Sequence, residues 1–177
     1  MAYFPSTSNS TGRWSLMEIR NEIMGLNWIG SVTTIGTNAI FGYGYTGSSY
    51  LDTITRFNNT GTYVGSQENA GTARTYLAAA SYGRDKAIFG FGNNGSTVNT
   101  ITRFDNTGTY VGSQENAGTA RFYLAAATYG GDKAIFGFGL TTVNVNTITR
   151  FDNTGTYVGS QENAGTVRRE LAAASYG

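Results

Sequence analysis

Two residue types that carry much of protein chemistry are missing from this sequence of 177 residues, which contains no cysteine and no histidine. The absence of cysteine excludes disulfides, thiolate metal sites and a cysteine nucleophile. The absence of histidine removes the commonest general base and the commonest ligand of zinc and copper. We therefore expect no metal, no cofactor and no catalytic residues. The composition favours a protein that binds or holds over an enzyme.

Charge is also scarce, because charged residues make up 13% of the chain and the formal net charge is +1. The 12 basic residues are spread along the sequence, whereas nucleic acids and anionic membranes are bound by a concentrated basic face. The sequence has no run of about 18 apolar residues and no basic start followed by an apolar stretch. We expect no nucleic-acid partner, no membrane insertion and no secretion signal.

Proline is almost absent, with one residue, while glycine is abundant, with 25. The many turns must therefore be made by Gly, Asn and Asp, which is typical of β-hairpins. Hydrophobic residues account for 40% of the chain and aromatic residues for 14%, which is enough to supply a core. These proportions predict a folded, all-β protein.

A 47-residue repeat fills most of the chain, and Gly65, Gly112 and Gly159 mark its period. The three copies span 38–83, 85–130 and 132–177, behind an N-terminal extension over 1–30. Repeats of this length indicate solenoids, propellers or arrays. Each copy contains four strand candidates, exemplified by LAAASYG, KAIFGFG, NTITRF and GTYVGSQ. We therefore predict a four-stranded β-unit for each copy.

The linker Asp-Asn-Thr-Gly between the third and fourth candidates predicts a hairpin turn. Asn58, Asp105 and Asp152 begin this linker and are interpreted as turn formers, since their side chains can accept hydrogen bonds from the nearby backbone. Ile101 and Phe104 cannot share one face of a strictly alternating strand. A β-bulge or a strand end is therefore expected near Phe104.

The order R-x-x-L-A-A-A-x-Y-G, D-K-A-I-F-G-F-G, T-I-T-R-F-D-N-T-G resembles a kelch repeat. The resemblance implies β-propeller blades, in which small residues such as Ala suit the strand beside the central channel. The sequence departs from the family where Gly90-Phe91-Gly92 replaces an adjacent Gly pair and where a Tyr replaces the Trp of the last strand. The alternative is a β-trefoil, which also contains three units of four strands.

The N-terminal extension contains a predicted helix over 15–24, with a capping box from Ser15 and Glu18 and a stop at Gly25. One face carries the apolar residues Leu16, Ile19 and Ile23. This face either packs on the first repeat or docks on another protein.

The segment SLMEIRNEIMG is similar to a motif near the N-terminus of many structural proteins of tailed bacteriophages. Tandem runs like DKAIFGFG and LAAASYG also resemble phage proteins with kelch-like repeats. The resemblance implies a virion component, in a tail fibre, a baseplate or a neck, that docks to other virion proteins through its helix.

Charged residues recur at equivalent positions, and we predict that each makes the same structural contact in every copy. They are Arg56, Arg103 and Arg150, Glu68, Glu115 and Glu162, and Arg74, Arg121 and Arg168.

The copies differ most between their second and third strands, over 45–52, 93–99 and 140–146. Varied loops on a fixed scaffold are typical of a binding face and equally of drift in exposed loops. A lectin-like module that contacts a host-surface glycan or protein is the alternative function. The candidate contact residues are Tyr45, Tyr50, Asn93, Asn94, Leu140 and Thr141.

The strand content is three blades offset by one strand, because the first copy starts at its second strand and the last ends on LAAASYG. Three blades are too few to close a propeller, which has about 4 to 8. We expect the last strand, over 171–177, to pair with the 38–44 strand of a second chain in a homo-oligomer, unless the polypeptide continues. Residues 28–34 compete for the same place.

Overall fold

A computed structural model of the chain describes residues 38–176, which form eleven β-strands in three antiparallel sheets. The first sheet contains β1 (Ala39–Gly42), β2 (Ile54–Phe57) and β3 (Tyr63–Gln67). The second contains β4 (Ala78–Tyr82), β5 (Lys86–Gly90), β6 (Ile101–Phe104) and β7 (Tyr110–Gln114). The third contains β8 (Ala125–Tyr129), β9 (Lys133–Gly137), β10 (Ile148–Phe151) and β11 (Tyr157–Gln161). The predicted helix over 15–24, with Leu16, Ile19 and Ile23, lies outside the described residues.

Within each sheet the strands follow one another in sequence order, so each sheet is a simple meander. The prediction of an all-β fold with four strands to a unit is confirmed for the second and third sheets, while the first shows three strands among the described residues. The sheets are offset from the sequence copies, because the Ala-rich strand at the end of one copy opens the next sheet. The corresponding strand of the first sheet would fall before Asn38, outside the described residues.

The three sheets of the described residues are not closed into a barrel. A β-trefoil requires strands from its three units to close on one another, whereas here every strand pairs only within its own sheet. The β-trefoil alternative is therefore wrong for residues 38–176. None of these residues belongs to a helix long and apolar enough to cross a membrane.

The hairpin turn between the third and fourth strands forms as predicted. Asp105 Oδ1 accepts hydrogen bonds from the amides of Thr107 and Thr109, both at 2.9 Å, and from Thr107 Oγ1 at 2.7 Å. Gly108 closes the turn with a φ of 73°, which a residue without Cβ adopts at little cost. Asn58 and Asp152 accept the same set of bonds in the other two sheets.

The β-bulge expected near Phe104 is confirmed, and it lies on the partner strand. Arg103 is opposite Gly112 and Phe104 is opposite Tyr110, so Val111 is the extra residue. Both Ile101 and Phe104 are nevertheless buried. They point to opposite faces of the second sheet, and a neighbouring sheet covers each face.

Two apolar clusters form the core, one at each junction between successive sheets. Tyr43 and Ile54 of the first sheet pack with Phe89 and Phe104 of the second. The other junction joins Ile88, Phe91 and Ile101 of the second sheet to Ala134, Phe136 and Phe151 of the third. Equivalent ring pairs anchor both junctions, with centroids 5.3 Å apart for Tyr43 and Phe89 and 5.5 Å apart for Phe91 and Phe136. The repeated sequence thus makes the same junction twice.

The Ala-rich first strands of the second and third sheets, β4 and β8, are called inner strands here. Each pairs along one edge with the second strand of its own sheet. One hydrogen bond joins the inner strands, from Thr128 Oγ1 to Ser81 O at 3.0 Å, and another joins the residues just before them, from the Tyr123 amide to Tyr76 O at 3.0 Å. The small side chains of these strands let the two sheets approach closely there.

The last segment, over 171–176, is not a β-strand, although the sequence predicts one. Equivalent hydrogen bonds still hold it beside β8, from the Glu170 amide to Tyr123 O at 2.9 Å and from Ser175 Oγ to Thr128 O at 2.7 Å. Inner strands receive their ladder hydrogen bonds from a second strand, and in the part of the chain described no second strand lies beside this segment. The segment therefore lies where an inner strand would lie, but within the described residues it forms no ladder with a second strand.

The turn aspartates predict a pH dependence of stability. Partial burial opposes ionisation of Asp105 and Asp152, but the hydrogen bonds of the turn outweigh it and lower both pKa values below the ordinary 3.8. A carboxylate with a lowered folded pKa stabilises the fold above its unfolded pKa and loses that contribution as the pH falls through the folded value. We expect the double variant Asp105→Asn, Asp152→Asn to lose less stability than the natural protein between about pH 5 and about pH 2.

Urea unfolding at several pH values measures this difference. Asn58 shows that an amide accepts the same bonds, so the variant should fold normally at pH 7. The control is Asp85→Asn, since Asp85 makes no side-chain hydrogen bond among the described residues. Parallel pH profiles for the natural protein and the double variant would refute the prediction.

Candidate binding surface

The three varied segments form small hairpins, which we call the rim hairpins, over 45–52, 93–99 and 140–146. They follow β1, β5 and β9, respectively, and each is closed by a single β-bridge. The bridges pair Tyr45 with Tyr50, Asn93 with Thr97, and Leu140 with Asn144. The scaffold thus presents its most varied residues at the same end of every sheet.

The connections between successive sheets, over 68–77 and 115–124, are called the sheet connections, and they run beside the rim hairpins at this end. The Gly92 amide donates to Arg121 O at 2.9 Å, and the amide and carbonyl of Leu140 exchange two hydrogen bonds with those of Phe122, at 2.8 and 3.0 Å. Asn93 exchanges an equivalent pair with Thr75, both at 2.8 Å. The rim hairpins and the sheet connections are therefore joined by hydrogen bonds into one continuous surface.

The predicted contact residues differ in whether their side chains are free to contact a ligand. Tyr45 and Tyr50 are exposed, and their rings lie together with centroids 5.3 Å apart. Asn93 and Asn94 accept hydrogen bonds through Oδ1 from the amides of Gly95 and Ser96, so these oxygens shape the turn.

In the third rim hairpin Leu140 and Thr141 are half-buried. Thr141 Oγ1 donates to Val143 O at 3.2 Å. Among the described residues no hydrogen bond joins one rim hairpin to another. The first rim hairpin therefore offers an aromatic pair, while the polar oxygens of the other two mainly maintain their own turns.

An aromatic cluster on the sheet connections escaped the sequence analysis. Tyr76 lies with its ring centroid 4.4 Å from that of Tyr123 and 6.1 Å from that of Phe122. Tyr76 is 47% exposed, and Tyr76 and Tyr123 adopt left-handed φ values of 57° and 55°. Its sequence signal was the variation just before each LAAA segment. The polar interaction with the neighbouring Tyr76 side chain, followed by desolvation, raises the pKa of Tyr123 above its ordinary value of 10.0. The Tyr123 phenol is therefore neutral at pH 7.

Beneath this surface, a buried arginine crosses from each sheet connection into the following sheet. Arg74 donates from Nη2 to Phe89 O at 3.3 Å and to Thr102 Oγ1 at 3.0 Å, and its guanidinium carbon lies 4.5 Å from the centroid of the Tyr43 ring. Desolvation on burial lowers the pKa of Arg74. The predicted structural contact forms for Arg74 through hydrogen bonds to backbone and hydroxyl oxygens. The third equivalent, Arg168, is exposed and lies over the Phe138 ring without these bonds among the described residues, so the same contact is not made in every copy.

Arg121 repeats this arrangement at the second junction. It donates from Nη2 to Phe136 O at 3.2 Å and to Thr149 Oγ1 at 2.9 Å, and it stacks on Phe91 at 4.2 Å. Burial lowers the pKa of Arg121 to about 10, so the guanidinium stays protonated at neutral pH. The glutamates of the second and third sheets also have structural roles, since Glu115 accepts from Thr100 Oγ1 at 2.5 Å and Glu162 accepts from Thr147 Oγ1.

Over residues 38–176, no three Asp or Glu side chains gather in a way that could hold a metal ion. No family model and no curated protein matches the chain. The rim hairpins and sheet connections form an exposed, partly aromatic surface on a repeated support.

We expect Arg121→Lys to lower the free energy of unfolding by about 2 kcal/mol or more, because buried acceptors would lose their donors. A lysine carries one compact charge and cannot replace a planar guanidinium that bonds and stacks at once. Urea unfolding followed by intrinsic fluorescence measures the loss. The control is Arg84→Lys, at an exposed position, which should change little. Similar losses for the two variants would contradict this role of Arg121.

Proposed function

We propose that this chain is a non-enzymatic virion structural protein of a tailed phage, whose β-propeller blades present the rim for assembly or host attachment. The observation that carries the proposal is the separation, in the first two copies, of buried supporting residues from an exposed surface that varies. The recurring charged residues Arg74 and Arg121 are buried at the junctions, whereas the segments that differ most between copies lie at the rim. Such a chain keeps its support constant and varies its presented surface.

The arrangement of the sheets supports the blade interpretation. Each full sheet is a four-stranded meander that begins at an Ala-rich inner strand, and the inner strands β4 and β8 lie side by side. The second sheet is covered on both faces by its neighbours, as a blade in a ring is. The kelch-like residues also have roles of this kind, since the Arg that precedes each inner strand joins one sheet to the next.

The resemblance of SLMEIRNEIMG to phage structural proteins supports the virion setting. In this proposal Leu16, Ile19 and Ile23 of the N-terminal extension contact another virion protein. A tail fibre, a baseplate and a neck are all compatible with this role.

The virion role predicts that Ile19→Asp prevents incorporation into particles, because a charge would be placed in an apolar contact. Incorporation is measured by immunoblotting purified phage particles after complementation of a deletion strain. The matched control is Asn21→Asp, which adds the same charge to the same segment away from the apolar positions. If Ile19→Asp particles contain a normal amount of a folded protein, this docking contact is wrong.

A second candidate function, a lectin-like binding module, is favoured by the aromatic residues at the rim. Tyr45 and Tyr50 form an exposed pair, and the exposed Tyr76 packs on the half-buried Tyr123. Aromatic faces of this kind stack on sugar rings or anchor protein contacts. This function is compatible with the first, since a virion protein can also attach to a host surface.

Replacing residues 45–52 with the second copy's 93–99 should weaken adsorption or glycan binding while leaving the thermal midpoint nearly unchanged. The graft removes both tyrosines but keeps a hairpin of the same kind on the same sheet. Glycan-array binding and phage adsorption measure the first effect, and thermal unfolding measures the second. The control graft replaces Asn58 with Asp, which copies the second repeat at the hairpin turn between the third and fourth strands. Unchanged adsorption and glycan binding would leave the rim differences as drift.

A further inference from the structure

Among residues 38–176, nothing covers the face of the first sheet that corresponds to a buried face in the other two sheets. Phe41 of β1 is 64% exposed, while its counterparts Phe89 and Phe136 are 5% and 0% exposed. In those sheets the ring packs on an aromatic residue of the preceding sheet. Phe41 is therefore placed to form a junction like those of Phe89 and Phe136, but among the described residues no neighbouring sheet packs against it.

The third sheet has the complementary surface. Phe138 and Ile148 are half-buried, whereas their counterparts in the second sheet, Phe91 and Ile101, are fully buried against the third. The side chain of Arg168 lies over the Phe138 ring at 4.2 Å, as Arg121 lies over Phe91. A receiving surface is thus already assembled on this sheet.

Arg168 specifies what should sit on that surface. Arg74 and Arg121 lie on sheet connections, and each donates to a carbonyl of the sheet that follows, Arg74 to Phe89 O and Arg121 to Phe136 O. Arg168 is exposed. The acceptors that continue the series are the carbonyl of Phe41 and, in place of Thr102 and Thr149, the hydroxyl of Thr55 on the first sheet.

A groove beside β1 provides a second point of contact. It has a volume of about 290 Å³ and lies between β1 and β4, and its lining includes Ala39, Ile40, Ala79, Ala80 and Ser81. In the other sheets an inner strand pairs with the edge that corresponds to this edge of β1. The groove therefore has the walls that an inner strand would need, with a ladder partner on one side and a neighbouring inner strand on the other.

The segment over 171–176 has the sequence and position of an inner strand, and residues 38–176 contain no ladder partner for it. Ser175 bonds to Thr128 as Thr128 bonds to Ser81, and Tyr176 is 101% exposed. Ser81 is opposite Ala87 and Thr128 is opposite Ala134 in their sheets. Continuing this register places Ser175 opposite Ala39.

We propose that a second copy of this chain binds head to tail, so that its residues 171–176 fill the groove beside β1. Phe41 then rests on Phe138 of the second copy, and Arg168 of that copy donates to the carbonyl of Phe41 and to Thr55. The described residues of each copy form three sheets, so two copies supply six, a number within the about 4 to 8 blades of closed propellers. The proposal rests on the blade arrangement proposed above and is independent of the virion role.

The first experiment is analytical ultracentrifugation of the full chain over a concentration series. We expect a species of twice 18.9 kDa. Phe41→Glu should raise its dissociation constant at least about tenfold, because a charge would enter an apolar junction. The matched control is Val143→Glu, which adds the same charge at a position that is 65% exposed on the third rim hairpin, and it should leave the mass unchanged.

The second experiment uses the natural absence of cysteine, so that introduced thiols have no competing partners. Ala39→Cys and Ser175→Cys are prepared as separate proteins and mixed under mild oxidation. Opposed residues on paired strands lie within disulfide range. We expect a covalent dimer containing one copy of each variant, and little dimer from either variant alone.

Several outcomes would overturn the proposal. A monomer at every concentration would mean that other residues of the same chain fill the groove, or that nothing does. Disulfides within each single variant would indicate a face-to-face dimer instead of a head-to-tail one, and equal effects of Phe41→Glu and Val143→Glu would exclude the Phe41 contact. Particle incorporation of Ile19→Asp reports on the virion role separately.

Discussion

The buried arginine between successive sheets is the interaction on which the rest of the structure depends. Arg121 leaves the connection after the second sheet, stacks on Phe91 of that sheet and bonds to Phe136 and Thr149 of the next. A buried guanidinium is costly unless its donors find partners, so two neighbouring sheets must meet at one spacing and one angle. Arg74 imposes the same requirement at the other junction. The apolar clusters then fill a space whose dimensions these arginines define.

This arrangement makes the fold a series of nearest-neighbour contacts. The second sheet is the most buried because it has a neighbouring sheet on each face. Equivalent residues of the first and third sheets are more exposed on the face that has no neighbour among the described residues. Ile88 is fully buried in the second sheet and Ile135 is half-buried in the third. Stability in such arrays is the sum of unit and interface contributions. An additional partner at either end face would therefore stabilise the sheet that it covers.

Local sequence signals predicted local structure well. The hairpin turn at Asp105 depends on residues two and four positions away, and the strands follow from short apolar runs bounded by Gly, so both could be predicted from the sequence. The partners of Arg121 lie 15 and 28 residues away, and no local pattern identifies them. The cluster of Tyr76 and Tyr123 was missed for the same reason, because it forms only when the inner strands of two sheets meet. For the rim, the sequence identified the varied loops, but not that they close as hairpins or that Asn93 and Asn94 use their side-chain oxygens to maintain the turn.

Hydrogen bonds that span one whole repeat join Thr128 of β8 to Ser81 of β4 and Ser175 of the last segment to Thr128. Each end of such a bond is supplied by a nearly identical piece of sequence. Unequal recombination between copies of the gene segment would therefore add or delete a complete 47-residue unit without changing any remaining junction. Repeat number, unlike the core residues, is thus a character that can change in a single genetic step.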